Sequence, residues 1–217
     1  MKIISLSFEE TGYACAIASS IKKYFYNNNC KTNFFDYLVV SMKSINEILE
    51  LKNLNLLINN LDLSESHIDT TIVKWSNFHK LISYHDIKNN SDKSDLIHFK
   101  NKYLRRYIRL IHYLYEENII FFIRYGKTPE NDIQQFFKII KNINNNLIFY
   151  FINVDYDTQF KENIQYKNIE NYIYINFYLI NNNNTKHTDK YFEILEYNWD
   201  FVFNLIKKNN DYILNNN

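Results

Sequence analysis

The sequence of 217 residues contains few small or conformationally special residues: two glycines, one proline, two cysteines and three alanines. Two cysteines are too few for a disulfide framework, and no C-x-x-C or Cys/His cluster has the spacing of a zinc site. We therefore expect no metal or other cofactor, and a reducing intracellular compartment. Frequent asparagine, isoleucine, lysine, tyrosine and phenylalanine are typical of an AT-rich genome.

An excess of one charge is also lacking, because 25 basic residues nearly balance 24 acidic residues. No overall field therefore attracts the protein to nucleic acid or to an anionic membrane surface. No segment approaches the roughly 18 uninterrupted apolar residues of a transmembrane helix. The opening segment is too short, and Glu9 and Glu10 follow it too soon, for a signal peptide. We expect no association with membranes.

Hydrophobic residues make up 46% of the chain, enough to bury a core, and we expect one α/β domain over residues 1–217. The apolar patterns predict strands at residues 3–7, 81–84, 119–125, 147–154 and 172–178, and helices at 13–24, 94–117, 129–143 and 189–208. Alternating strands and helices predict a mostly parallel sheet of about four to six strands, with helices on both faces. A helical insertion is expected around residues 44–80.

The carboxyl ends of the predicted strands are the expected location of a site, because ligands bind there in open α/β sheets. Four residues follow predicted strands closely and are expected to converge at this edge: Cys15, His85, Gly126 and Asp155. Gly12 and Asp155 are candidates for contact with a substrate.

Small residues surround one thiol: all three alanines flank Cys15, and Gly12 precedes it. In the first turn of a helix, unpaired backbone N–H groups favour the thiolate and can also hold an oxyanion. Among the six histidines, His85 is the best candidate for a base, because it ends a predicted strand. Alternatively, Cys15 is a small buried apolar residue, His85 caps a loop, and the alanines let a helix lie flat on the sheet.

Three aspartates are candidates to orient the imidazole. Asp86 follows His85 directly, but neighbours on an extended chain point in opposite directions, so the strand must have turned. Asp36 is the alternative and Asp155 a weaker one. Arg124 lies in an otherwise apolar strand, where a buried charge needs a partner such as Asp36 or Asp86. Its planar fork also suits a carboxylate or phosphate of a substrate.

Five short motifs occur in order: Ile4-Ser5-Leu6 with Gly12-x-x-Cys15, Phe35-Asp36-Tyr37, Tyr84-His85-Asp86, Lys102-Tyr103-x-Arg105-Arg106, and Phe121-Phe122-Ile123-Arg124-Tyr125. Their order and spacing, over about residues 3–125, resemble a family of papain-like cysteine peptidases found in bacteria and large DNA viruses. The resemblance implies a nucleophile at Cys15, a general base at His85, and a peptide or small acyl substrate. It also implies a viral or bacterial origin, with the host cytoplasm as the location if viral.

The sequence departs from the family pattern in two places. Tyr37 stands where the family has tryptophan, and the loop at residues 8–11 is longer. The alternative interpretation is a non-catalytic binding module on the same scaffold, which recognises a nucleotide, RNA or peptide by aromatic stacking. Trp75 and Trp199 are its candidate stacking residues, although each also lies near apolar residues, as core tryptophans do.

Overall fold

The computed structural model of the protein describes residues 1–8, 14–26, 31–65, 70–89, 92–126, 128–157, 164–169, 172–178 and 202–208. The strands in these ranges are β1 (Lys2–Phe8), β2 (Leu38–Val40), β3 (Leu61–Glu65), β4 (Thr70–Trp75), β5 (Leu81–Lys88), β6 (Ile119–Tyr125), β7 (Ile148–Asp157), β8 (Ile164–Ile169) and β9 (Tyr172–Tyr178). The helices are α1 (Ala14–Tyr26), α2 (Met42–Leu49), α3 (Asn55–Ile58), α4 (Lys93–Glu116) and α5 (Glu130–Ile143). Residues 202–208 form a further helix, α6.

The nine strands of the described ranges form one mixed sheet, in the order β3-β4-β5-β2-β1-β6-β7-β9-β8. Parallel pairing joins β2, β1, β6, β7 and β9. Antiparallel pairing adds β5, β4 and β3 beyond β2, and β8 at the opposite edge. The fold is therefore mixed α/β, and the expected mostly parallel sheet of about four to six strands is not confirmed.

Both faces of the sheet are buried because the central strands are almost entirely apolar and alternate in side-chain direction. In β6, Phe121 and Ile123 belong to a first core with α1 and α6. Ile120 and Phe122 belong to a second core with α2, α4 and α5. Helices thus cover both faces, as predicted. Within the described ranges, no helix combines the length and the apolar composition that crossing a bilayer requires.

The expected helical insertion at residues 44–80 is wrong in its second half. Helices α2 and α3 are followed by the antiparallel hairpin of β3 and β4. β4 has the sequence TTIVKW, which is rich in β-branched residues that pack well on a pleated sheet. Because this hairpin pairs with β5, the insertion extends the sheet instead of covering it.

β1 departs from regular pairing near its carboxyl end, where its register with β6 shifts between Ser5 and Phe8. Ser7 adopts a left-handed backbone conformation there, with φ of 56°, and an irregularity of this kind re-aims neighbouring groups. At the shift, the Leu6 carbonyl accepts a hydrogen bond from the Arg124 side chain. The bulge therefore links the end of β1 to a buried polar group.

Candidate functional site

The fully buried guanidinium of Arg124 joins three strand ends. Nη1 donates to the Leu6 carbonyl at 3.0 Å and Nη2 to the Val40 carbonyl at 3.1 Å. Nε donates to the Thr128 hydroxyl at 3.2 Å. These contacts tie the carboxyl ends of β1, β2 and β6 together, because one planar fork can reach acceptors on several sides.

An amide side chain on the neighbouring strand extends this cluster. Asn153 lies beside Arg124 in the parallel register of β7 and β6. Its Oδ1 is 2.6 Å from the Thr128 hydroxyl, and its Nδ2 donates to the Gly126 carbonyl at 3.2 Å. Thr128 precedes Pro129, the N-cap residue of α5, and its hydroxyl serves this cluster without capping the helix. The cluster thus fixes Gly126, which follows β6, and Thr128, which precedes α5, to the neighbouring strand β7.

Cys15 is the second residue of α1, the helix that follows β1. Ile17, Ala18 and Ile21 bury the sheet-facing side of α1. Seven residues after Cys15, Lys22 contacts Tyr37 just before β2 begins. The backbone of Cys15 therefore lies two turns, about 10 Å along the helix axis, nearer the carboxyl ends of the strands. The Cys15 side chain and all of Gly12 lie outside the described residues.

His85 lies inside β5, not past a strand end, so that part of the prediction is wrong. Ile82 pairs with Val39, and Val39 pairs with Phe8 at the carboxyl end of β1. β5 runs away from that edge, and His85 is three residues further along, which corresponds to about 10 Å. The register therefore separates the backbone of His85 from the edge at which α1 begins. The His85 side chain lies outside the described residues.

The other two residues expected at the strand ends differ in position. Gly126 directly follows β6, as predicted, with φ of 94°, a conformation that glycine adopts without steric cost. Asp155 instead lies within β7, which continues to residue 157 and pairs Asp155 with Asn176 of β9. The Asp155 side chain lies outside the described residues.

The carboxylate of Asp86 has three hydrogen-bond donors. The Ser83 hydroxyl donates to Oδ2 at 2.6 Å, the Tyr103 hydroxyl also donates to Oδ2, and the Lys102 ammonium pairs with Oδ1. Burial alone would raise the pKa of Asp86, but the hydrogen bonds from Lys102, Ser83 and Tyr103 together lower it below its ordinary value. Asp86 is therefore ionised at neutral pH and connects β5 to α4.

The side chain of Asp36 is also buried, in the segment that precedes β2. Its Oδ2 accepts a hydrogen bond from the Asn33 backbone N–H at 2.8 Å and lies 3.7 Å from Lys22 Nζ. Burial raises the pKa of Asp36, although the Asn33 hydrogen bond and the charges of Lys22 and Arg106 act in the opposite direction. Asp36 and Asp86 thus have other cationic neighbours, not the Arg124 guanidinium that the sequence suggested.

Sequence reasoning missed Lys22 entirely and named Arg106 only as part of a motif, without expecting it to be buried. Only 7% of Arg106 is exposed, and its guanidinium lies 5.1 Å from the centre of the Tyr103 ring. A signal was available: Arg106 follows Tyr103 by three residues and precedes Leu110 by four, so it lies on the apolar face of α4. Nothing in the sequence near Lys22 indicated its contacts with residues 32–37.

The stacking interpretation loses one of its two candidates. Trp75 is fully buried, and its indole N–H donates to the Leu57 carbonyl at 2.9 Å. Its ring packs edge to face on Tyr103, with centroids 5.0 Å apart. Trp75 is therefore a core residue and has no free face for a base. Trp199 lies outside the described residues.

No group of three or more histidine, cysteine or acidic side chains suited to a metal ion occurs in the described part of the chain. Comparisons with known proteins gave no relative: no family model, no curated protein and no solved structure matches this chain.

Proposed function

We propose that the protein is a cysteine-dependent hydrolase in which Cys15 is the nucleophile and the substrate is a peptide or a small acyl compound. The observation that supports this proposal is the position of Cys15, in the first turn of the helix that follows β1. The resemblance of five motifs to papain-like cysteine peptidases led to it.

The backbone near Cys15 suits the chemistry of acyl transfer. The first turn of α1 has N–H groups without partners inside the helix, and the positive end of the helix dipole lowers the energy of a thiolate. α1 has no acidic residue in its first turn that would oppose this effect. The same N–H groups are donors for the oxyanion that forms when a thiolate attacks a carbonyl carbon.

The reaction has two steps. The base takes the proton of the Cys15 thiol, and the thiolate forms a C–S bond with the carbonyl carbon. The C–N or C–O bond then breaks, and the leaving amine or alcohol takes that proton from the base. Water then attacks the thioester, releases the acid and regenerates the thiol. In our proposal His85 is that base. Strand register gives it no support, because β5 carries the backbone of His85 away from this edge.

Thiol labelling tests the two roles separately. We expect iodoacetamide at neutral pH to modify Cys15 faster than Cys30, measured by mass spectrometry of the resulting peptides, because only the thiolate reacts. His85→Ala is expected to slow the labelling of Cys15 and not of Cys30, and His112→Ala on α4 serves as its control. Equal, slow labelling of both cysteines would reject the nucleophile. Fast labelling that His85→Ala leaves unchanged would keep Cys15 and reject His85.

A further inference from the structure

Asp36 lies in a segment that contacts helices on both faces of the sheet. β2 has only three residues, so the preceding segment, residues 31–37, lies beside the sheet without being a strand. Phe34 and Phe35 of this segment belong to the second core, with α4. On the other face, the Asp36 carboxylate lies 3.7 Å from Lys22 Nζ of α1.

Several residues of the same segment contact the Lys22 side chain. Its ammonium donates to the Thr32 hydroxyl at 3.2 Å and to the Tyr37 hydroxyl at 3.1 Å. It also lies 4.6 Å from the centre of the Tyr37 ring, within the range of a cation–π contact. Only 14% of the Lys22 side chain is exposed, so solvent screens these contacts less than those of a surface lysine. Lys22 therefore fixes the middle of α1 to residues 32–37.

Residues 31–37 also contact α4, because the Phe34 ring packs edge to face on Tyr103 with centroids 5.7 Å apart. Arg106 of α4 lies beside the same Tyr103 ring, and its charge lowers the pKa of Asp36. Asp36 Oδ1 and Arg106 Nη1 are both buried and without a hydrogen-bond partner. The buried carboxyl group of Asp36 thus pairs with Lys22 of α1 on one face, and the segment that carries it packs against α4 on the other.

The carboxyl group of Asp36 fixes the position of α1 more than it stabilises the folded protein. Burial is the largest effect on Asp36 and raises its pKa despite Asn33, Lys22 and Arg106. A raised pKa means that the folded state favours the neutral acid more than the unfolded chain does, so the charge of Asp36 adds no net stability. In some other proteins, buried ion pairs also add little to stability and instead favour one specific arrangement of the chain.

We propose that Asp36 is a positioning residue for Cys15: its carboxyl group holds α1, through Lys22, in a fixed place against residues 31–37 and α4. Cys15 and Lys22 lie two turns apart on one helix, so a shift at Lys22 moves the first turn of α1. The role differs from that of a carboxylate which orients the base. It rests on the proposed function only in the choice of Cys15 as the group that is positioned.

Amide hydrogen exchange of α1 tests the proposal without any assay of hydrolysis. In Asp36→Asn and in Lys22→Met we expect residues 17–26 to exchange at least about threefold faster, while α5 keeps its wild-type rate as an internal reference. In the double variant, α1 is expected to exchange no faster than in the faster single variant, because both substitutions remove the same Asp36–Lys22 contact. Asp62→Asn and Lys43→Met, at exposed positions, are matched controls and should leave α1 unchanged.

Two further measurements separate positioning from a general structural role. The melting temperature of Asp36→Asn should not fall below that of the wild type, because its carboxamide resembles the neutral acid. As the pH falls through the pKa of Asp36, the exchange of wild-type α1, corrected for intrinsic rates, should rise in a step that Asp36→Asn lacks. Asp86, which contacts other residues of α4, has a lowered pKa and titrates at lower pH.

Either of two results would overturn the proposal: wild-type exchange of α1 in both single variants, or equal acceleration of α1 and α5. If Asp36→Asn fails to fold, Lys22→Met decides, since it leaves the carboxylate beside Arg106. Labelling of Cys15 by dithiodipyridine in Lys22→Met should change at least about threefold if the first turn moves with the helix. If Cys15 labels no faster than Cys30 in the wild type, the hydrolase proposal fails while the exchange data still decide the role of Asp36.

Discussion

The Tyr103 hydroxyl donates a hydrogen bond to Asp86 Oδ2 and joins the core-facing side of α4 to β5. Tyr103 is fully buried, and burial together with the charge of Asp86 raises its pKa well above the ordinary tyrosine value. The phenol therefore stays protonated and remains a donor at every physiological pH. Because β5 is irregular in its pairing with β4 between Ser83 and Ile87, Ser83 and Asp86 can present their side chains to the same helix.

Asp86→Asn is expected to destabilise the protein by about 2–3 kcal/mol, because a neutral amide replaces an ionised acceptor of three hydrogen bonds. The free energy of unfolding is measured with urea at neutral pH. Asp62→Asn is the control: Asp62 is exposed and accepts one hydrogen bond from Ser76, so we expect a change within about 0.5 kcal/mol. Equal effects of the two substitutions would show that the Asp86 contacts contribute little.

The contribution of Asp86 is also expected to depend on pH. Its pKa is lower in the folded protein than in the unfolded chain, so the folded state holds the charged form more strongly. The resulting stability is complete above the unfolded pKa, about 4, and is lost as the pH falls through the folded pKa. The difference in unfolding free energy between wild type and Asp86→Asn should therefore shrink on acidification. A difference that is constant down to the folded pKa would contradict this assignment.

The central strands were predictable from the sequence because their apolar runs are long and clearly bounded. β6 coincides with the predicted strand at 119–125, and α4 follows from apolar residues at three- and four-residue steps. The hairpin of β3 and β4 was not predictable in the same way. Its leucines lie in a segment with helical signals, and a strand at a sheet edge is defined by its neighbour as much as by its own residues.

For the candidate site, residue types were predictable and partners were not. Asp36, Asp86 and Arg124 were identified as buried or reactive candidates, and the structure buries Asp36 and Arg124 fully and Asp86 in large part. Their partners come from segments far apart in the chain, such as Lys22 for Asp36 and Lys102 for Asp86. Sequence spacing carries no information on which segments pack together, so the pairing required the fold.

Trp75 provides a test of the stacking interpretation. In a Trp199→Phe variant, where Trp75 is the remaining tryptophan, we expect blue-shifted fluorescence that acrylamide quenches poorly, because the indole is fully buried. Nucleotides and short RNA should leave this emission unchanged. Quenching of the remaining tryptophan by a nucleotide would contradict its position in the core. The reciprocal variant, Trp75→Phe, reports on Trp199 alone.

Arg124→Lys is expected to destabilise the protein by about 3 kcal/mol, because an ammonium cannot reproduce three donors directed at Leu6, Val40 and Thr128. Retention of the positive charge makes the substitution a test of geometry. Arg105→Lys, at an exposed position of α4, is the matched control and should change the unfolding free energy by less than about 0.5 kcal/mol. Because the Arg124 side chain joins the carboxyl ends of β1, β2 and β6, amide exchange in these strands should accelerate more in Arg124→Lys than exchange in β4. Equal stability of the two lysine variants would mean that charge alone satisfies this cluster and that the fork geometry has no structural role.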